Sequence, residues 1–257
     1  MRSVLHSRHI TLRFLRAFLR QPAWVAITLV QPMIWLLLFG ALFKKVVEIP
    51  GFHGGSYLDY LTPGLVVMTA ISSAGWNGMA FVDDMETGVL NRFLVSPVWR
   101  SALNIGSLVY GAVTTVVQSL VIIGVALALG AHFANGVVGV VLLIAIACAI
   151  GMTFAALSNA LALVTRQRET LIAAVTSIVL PLTFLSSVFM QQKLVPGWIQ
   201  AIARFNPVNW AAEATRAVAL ENTDWTLVAT RSALLGGLLL VATTLATRAF
   251  GLYQRSL

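Results

Sequence analysis

Charge is what this sequence has least of. Lys, Arg, Asp and Glu make up 10% of its 257 residues against 58% apolar residues, and the mean hydropathy is +0.87. A soluble globule of this size needs more polar surface than that, so lipid is the natural solvent. The short alternating segments of a closed β-barrel are missing, whereas uncharged runs of the roughly 20 residues that cross a bilayer core as a helix recur along the chain. Cysteine is nearly absent. Cys148 stands alone in an apolar run, which excludes an intramolecular disulfide and reads as a small packing residue. Phosphate-cradling loops are missing as well: Lys44, Lys45 and Lys193 are followed by Lys, Val and Leu, never by the Ser or Thr that ends a Gly-rich nucleotide loop. The histidines His6, His9, His53 and His132 have neither H-x-x-x-H nor carboxylate-paired spacing, which argues against a metal site. The central parts of the apolar runs hold no Asp, Glu, Lys, Arg or His. That argues against catalysis inside the membrane, which needs a positioned base or paired carboxylates, and against a proton- or ion-coupled carrier.

What is present predicts an all-α polytopic membrane protein, one transmembrane domain over 1–257, with six spans at about 24–43, 60–82, 102–130, 136–164, 171–190 and 228–247. The first is too long for a signal-peptide core and lacks a convincing A-x-A cleavage site, so it is read as retained. The short turn Ala131–Asn135 joins spans 3 and 4 as a helical hairpin. Residues 1–21 predict an amphipathic helix on the membrane surface. Arg2, His9, Arg13, Arg16 and Arg20 fall in one stripe, while Ile10, Leu12, Phe14, Leu15, Phe18 and Leu19 cover the other faces, a pattern suited to the headgroup boundary. The net charge of +8 clusters beside apolar spans, so anionic lipid headgroups, not nucleic acid, are the expected partner.

Six spans place the N-terminus, the 83–101 and 165–170 loops and the C-terminus on one side. That side carries eleven basic and four acidic residues, the other six and five, a balance of +7 against +1 that makes the first side cytoplasmic. Between spans 5 and 6, residues 191–227 mix Trp198, Phe205 and Trp210 with Pro196, Pro207 and charges, which predicts short helices dipping into the outer leaflet. Polar residues inside the spans are neutral: Ser72, Ser73, Asn77, Gln118 and Asn159, read first as interhelical hydrogen-bonding groups. Ala147, Gly151 and Ala155 place small residues one turn apart for close helix packing. In the loop after span 2, Asp83 to Pro97 has the form of a short amphipathic helix, acidic at its start and closed by proline. Leu90, Phe93 and Leu94 give it an apolar patch that must lie on the membrane or dock into a partner.

These features resemble the membrane subunits of ABC exporters in the ABC transporter type 2 class, which includes drug-resistance permeases and polysaccharide or teichoic-acid exporters. The likeness covers nearly the whole chain. It rests on Tyr60-Leu61-Thr62-Pro63-Gly64 opening span 2, on Glu86-Thr87-Gly88 with Arg92 and Ser96-Pro97 in the next loop, and on Phe205-Asn206-Pro207 with Arg216 between spans 5 and 6. The resemblance implies that 1–21 is the interface helix and that 83–97 is the coupling helix seated in the ATPase subunit, with Glu86, Gly88, Leu90, Arg92, Phe93, Leu94 and Pro97 at the contact. It implies that 191–221 forms paired re-entrant helices of an extracellular gate, with Trp198, Phe205, Asn206 and Pro207. It further implies two permeases working with two ABC ATPase subunits, ATP and magnesium bound by the ATPase and no cofactor bound by this chain. Substrate would pass along the permease interface lined by spans 1, 2 and 5, which brings in Ser72, Ser73, Trp76, Asn77, Phe184 and Ser187; Pro181, Thr183 and Ser186 suit a kinked lining helix.

Sugar-polymer exporters of this class tend to line the passage with aromatic rings, and spans 2 and 5 offer few, Trp76, Phe81, Phe184 and Phe189. This favours a hydrophobic or amphipathic small molecule, such as a drug, or a lipid over a polysaccharide or glycolipid, and the compact chain looks most like the daunorubicin-resistance type. The expected location is a bacterial-type cell membrane, multi-pass, with both termini cytoplasmic. An autonomous channel or carrier and a non-transporting membrane scaffold remain as readings of another class.

Overall fold

The computed structural model describes residues 22–48, 56–90, 100–220 and 223–255. Among them the order is α1 (Pro22–Leu42), a 3-10 turn (Lys44–Glu48), α2 (Tyr57–Gly75), α3 (Met79–Glu86), α4 (Arg100–Ala128), α5 (Gly136–Thr165), α6 (Arg168–Phe184), a second 3-10 turn (Gln192–Leu194), α7 (Gly197–Ala203), α8 (Pro207–Ala219) and α9 (Trp225–Arg255). No strand occurs among the described residues. Tyr57–Glu86, Leu103–Ala128, Gly136–Thr165 and Trp225–Gln254 are long and apolar enough to cross a membrane. The apolar helices at the expected first and fifth spans are shorter: Thr28–Leu42 in α1, and the 17 residues of α6, which extend about 25 Å.

α5 runs through the middle, with α2, α4, α8 and α9 packed around it. Its small residues permit the close approach. A Cβ on Gly139 would sit 2.5 Å from the Val218 carbonyl oxygen of α8, and one on Gly151 would meet Thr115 Oγ1 of α4 at 3.2 Å and Ala70 Cβ of α2 at 3.6 Å. Backbones can approach this closely only where side chains are absent or small. In α9 the helical period separates two faces. Leu235, Ala242 and Ala246 are buried, whereas Leu234, Leu240, Val241 and Leu245 are exposed, as expected of a helix with protein on one side and lipid on the other.

Two spans differ from their expected form. The second, expected as one helix over 60–82, is α2 and α3 separated by a turn at 76–78. The fifth, expected over 171–190, ends at Phe184. Pro181 lies in its last turn, where the ring removes a backbone donor and crowds the preceding turn, so Ser186 and Ser187 belong to the irregular 185–190 segment and not to a lining helix. The 131–135 hairpin is present: Gly130 adopts φ +94° and the Ala131 N–H closes onto the Ala126 carbonyl at 2.9 Å, a glycine-assisted helix end.

The 83–97 segment differs as well. Asp83 to Glu86 are the tail of α3, continuous with the membrane helix, and Gly88 follows in the left-handed region at φ +70°. Leu90, expected in an exposed patch, is fully buried and packs in one cluster with Phe81, Leu163, Leu171 and Phe250. Arg92, Phe93, Leu94 and Pro97 lie outside the described residues, as does the expected surface helix with Arg2, His9, Arg13, Arg16 and Arg20. Within the expected 191–221 unit, the chain forms two short helices, α7 and α8, meeting at Phe205-Asn206.

Candidate functional site

Where α1 and α2 run side by side they leave an open cleft of about 120 Å³. α1 contributes Thr28, Gln31, Pro32 and Trp35, and α2 contributes Leu65, Met68, Thr69, Ser72 and Ser73. These positions recur at the three- and four-residue steps that define one face of a helix. Trp76 stands at the end of α2 and Gln118 of α4 forms the back wall. Ser73 Oγ donates to Gln118 Oε1 at 3.1 Å, so the wall is fixed by a bond between spans. The lining contains no ionisable side chain.

Immediately past Trp76 the helix breaks, and its freed backbone groups are met from α5. The Gly78 N–H donates to Ser158 Oγ at 3.0 Å, while the Ser158 hydroxyl donates to the Gly75 carbonyl. Beside them Asn77 Nδ2 donates to Ser107 Oγ of α4 at 2.6 Å, and Asn159 Nδ2 donates to Asn104 Oδ1 and to Ser107 Oγ, each at 3.1 Å. Satisfying such groups within the protein is obligatory where no water is at hand. Gly78 is required there, since a Cβ would lie 2.4 Å from the Ser158 carbonyl oxygen.

The other end of the cleft leads to a buried cation. Arg216 on α8 is 7% exposed. Its Nε donates to the Tyr60 carbonyl at 3.0 Å, Nη1 to Ser187 Oγ at 3.0 Å and Nη2 to the Val188 carbonyl at 2.8 Å, and its guanidinium carbon lies 3.7 Å from the Tyr60 ring centroid. Burying an unpaired charge is costly unless such partners are supplied, and here they come from α2 and the 185–190 segment together. Gly64 completes the arrangement: a Cβ there would fall 2.6 Å from the Val188 carbonyl oxygen and 2.9 Å from Arg216 Nη2. Asn206 caps α8 by accepting from the Val208 N–H at 2.9 Å, and its Nδ2 donates to the Leu182 and Leu185 carbonyls at 2.6 and 3.0 Å, tying the end of α6 to α8.

Next to this junction lies a continuous bank of rings. Trp35 stacks on Phe39 at 5.0 Å, Phe39 on Phe43 at 5.4 Å, and Phe189 leans on Phe39 at 5.0 Å. Tyr57 meets Phe43 at 5.5 Å, and Phe184 meets Phe189 at 5.4 Å. At the opposite end of the molecule, Arg168 at the start of α6 pairs with Asp83 and with Glu86, the latter at 3.2 Å. Asp83 first and Glu86 second hold this guanidinium in its charged form above its ordinary range.

The expected site residues therefore sort into separate places. Ser72, Ser73 and Trp76 line the cleft; Asn77 joins the polar cluster behind the helix break; Phe184 is exposed beside Phe189; and Ser187 serves Arg216. Glu86 is paired with Arg168 of the same chain. Trp198 and Phe205 are exposed, Asn206 is the α8 cap and Pro207 its first residue. Sequence reasoning missed Arg168 as a partner of Glu86, the buried Arg216 as the centre of a junction, and the α1 rings. The last carries a signal in the sequence, since Trp35, Phe39 and Phe43 repeat every fourth residue.

With this geometry in hand, the likeness to known proteins is informative. Residues 7–220 match the family model described as ABC-2 type transporter. The chain is 30% identical over 208 residues to the putative transport permease ycf38 of Porphyra purpurea, covering 80% of this chain and 70% of that protein. It is 29% identical over 208 residues to the daunorubicin resistance ABC transporter permease protein DrrB1 of Streptomyces coeruleorubidus, 79% and 71% of the two chains. To the inner membrane transport permease YadH of Escherichia coli K12 it is 27% identical over 210 residues, 80% of each. The matched region contains the cleft, the helix break and the Arg216 junction, and with its several membrane-length helices the chain belongs to the ABC-2 type transporter family as a multi-pass permease.

Proposed function

We propose that this chain is the membrane-spanning subunit of an ATP-driven exporter that moves a hydrophobic or amphipathic small molecule, such as a drug, or a lipid out of the cytoplasm or inner leaflet. The observation that carries it is the family match over residues 7–220 joined to a cleft lined by neutral residues only. A permease whose site holds no ionisable group has no proton or ion to couple, so its energy enters from a separate ATPase. Similarity to a daunorubicin resistance permease supports the substrate class. In this reading six spans, with α1 and α6 completing the four longer helices, cross a bacterial-type cell membrane, and both termini face the cytoplasm. The chain pairs with a second permease and two ABC ATPase subunits, which carry ATP and magnesium. Residues 1–21 lie on anionic headgroups, and 83–97 contacts the ATPase through Gly88, Arg92, Phe93, Leu94 and Pro97. α7 and α8 re-enter the outer leaflet as a gate, with Trp198 and Phe205 at its surface.

The test is co-expression with a partner ABC ATPase. Pull-down of the complex and substrate-stimulated ATP turnover are expected, with Phe93→Glu abolishing the stimulation while the chain still assembles in the membrane. Substrate movement by the lone chain, in the absence of any ATPase, overturns the reading. The ring bank of Trp35, Phe39, Phe43 and Phe189 favours a second reading, export of a polysaccharide or glycolipid. Stimulation of turnover by a lipid-linked glycan and not by an amphipathic drug selects it.

A further inference from the structure

The polar groups of the cleft are not all used by the protein. Gln118 is 4% exposed, and its Oε1 is taken by Ser73. Its Nε2 has no partner among the described residues and, unlike Asn104 Nδ2, is not sealed in the interior. The amide N–H₂ therefore opens on the cleft its residue lines. Thr69 and Ser72 line the same space, and their hydroxyls make no hydrogen bond among the described residues. A buried donor left unsatisfied is costly, and donors turned toward one cavity between apolar walls mark a ligand site.

Size and charge define what fits. An engineered cavity of about 150 Å³ takes up benzene, so about 120 Å³ seats one ring, and the rest of a larger molecule must lie outside, along the open side of the cleft. A cation finds no carboxylate there. The faces of Trp35 and Trp76 could offer it cation–π attraction, but one face of Trp35 is already stacked on Phe39 at 5.0 Å. That attraction is worth about 2 kcal/mol or more when desolvated and is set against the several kcal/mol needed to strip an ion of water with no carboxylate to compensate. A neutral ring has no such penalty, and a carbonyl or hydroxyl on it meets Gln118 Nε2, Ser72 and Thr69.

We infer that the cleft between α1, α2 and α4 is a recognition site for the uncharged, oxygen-substituted ring of an amphiphile whose apolar remainder stays in the bilayer. The inference rests on the permease reading and narrows its substrate class. It assigns Gln118 the specificity role, through an N–H₂ donated to the ring substituent.

The test is equilibrium binding of radiolabelled octyl 4-hydroxybenzoate to the full chain in lipid nanodiscs, with empty nanodiscs subtracted. Saturable binding is expected, weakened about tenfold by Gln118→Leu, the loss of roughly one hydrogen bond, and abolished by Ser72→Phe, which fills the cleft. 4-Octylbenzylamine and 4-octylbenzoate, cation and anion with the same tail, should compete at least tenfold more weakly than the unlabelled neutral ester. Equal competition by either ion, wild-type affinity in both variants, or no saturable binding overturns the proposal. Binding needs no ATPase, so a chain that stimulates ATP turnover yet binds no probe sinks this inference alone. Loss of coupling with the binding intact sinks only the permease reading.

Discussion

At the scale of single residues, Arg216 shows why charge can be buried in a chain with so little of it. Each of its nitrogens has an oxygen partner, two of them backbone carbonyls outside their usual helical pairing, and the Tyr60 ring covers its plane. The planar fork suits several acceptors at fixed angles, which a flexible ammonium does not. Arg216→Leu strands the Val188 carbonyl and takes a partner from the Tyr60 carbonyl and the Ser187 hydroxyl, and an orphaned buried group costs about 1–3 kcal/mol. A lowered thermal unfolding midpoint in detergent is expected for Arg216→Leu and a smaller drop for Arg216→Lys; midpoints equal to wild type in both would refute this account. The residues involved were visible in the sequence only as scattered motif letters. Tyr60 and Gly64 sit more than 150 positions from Arg216, as the separation of 156 between Tyr60 and Arg216 shows, and nothing in local periodicity announces that they meet. Hydropathy extends span 5 to residue 190, and the resemblance to ABC exporter permeases makes Ser187 a lining residue of it. Pro181 and the helix end at Phe184 turn it toward Arg216 instead.

At the scale of elements, the break between α2 and α3 divides the second span into a part carrying the cleft and a part joined to α6 by the Arg168 ion pairs. Hydropathy places the span but is blind to the break, because 76–78 is no more polar than a helical stretch needs to be; the signal was the pair Gly75 and Gly78 flanking Asn77. Side chains from α4 and α5 hold the break in shape, so it is a fixed joint of the fold and not a frayed end. Overpacking it is the direct probe. Gly78→Ala drives a methyl into the Ser158 backbone at 2.4 Å, and such overpacking costs typically about 1–3 kcal/mol. Gly124→Ala in α4, where a Cβ meets nothing within 4 Å, is expected to be neutral or slightly stabilising from helix propensity. Thermal unfolding of the two variants side by side checks this, and equal midpoints would show that the α3–α5 contact is looser than described. The long helices were legible because lipid imposes an apolar run of fixed length. Their ends and breaks were not, because those depend on which neighbour satisfies the backbone.

At the scale of the molecule, the charge bias of the sequence and the helical plan lead to one claim about sidedness. The ends of α2, α4 and α5 alternate between a face with Lys44, Lys45 and the 131–135 turn and a face with Asp83, Glu86, Arg166 and Arg168. We expect the second face to lie with the basic N-terminal segment, α1 crossing once before α2, and the positive-inside bias of +7 against +1 then predicts that it is cytoplasmic. The single cysteine makes this directly measurable. Cys148 lies within α5, so Cys148→Ala yields a background without thiols, into which Ala134→Cys and Thr87→Cys, both at exposed positions, can be placed one at a time. In spheroplasts of a bacterial host, a membrane-impermeant maleimide is expected to label Ala134→Cys at once and Thr87→Cys only after permeabilisation. The reverse pattern would invert the molecule, placing the Arg168 ion pairs outside and removing 83–97 from reach of any cytoplasmic ATPase. Labelling of both positions from outside would mean that α4, the one helix between them, does not cross the membrane.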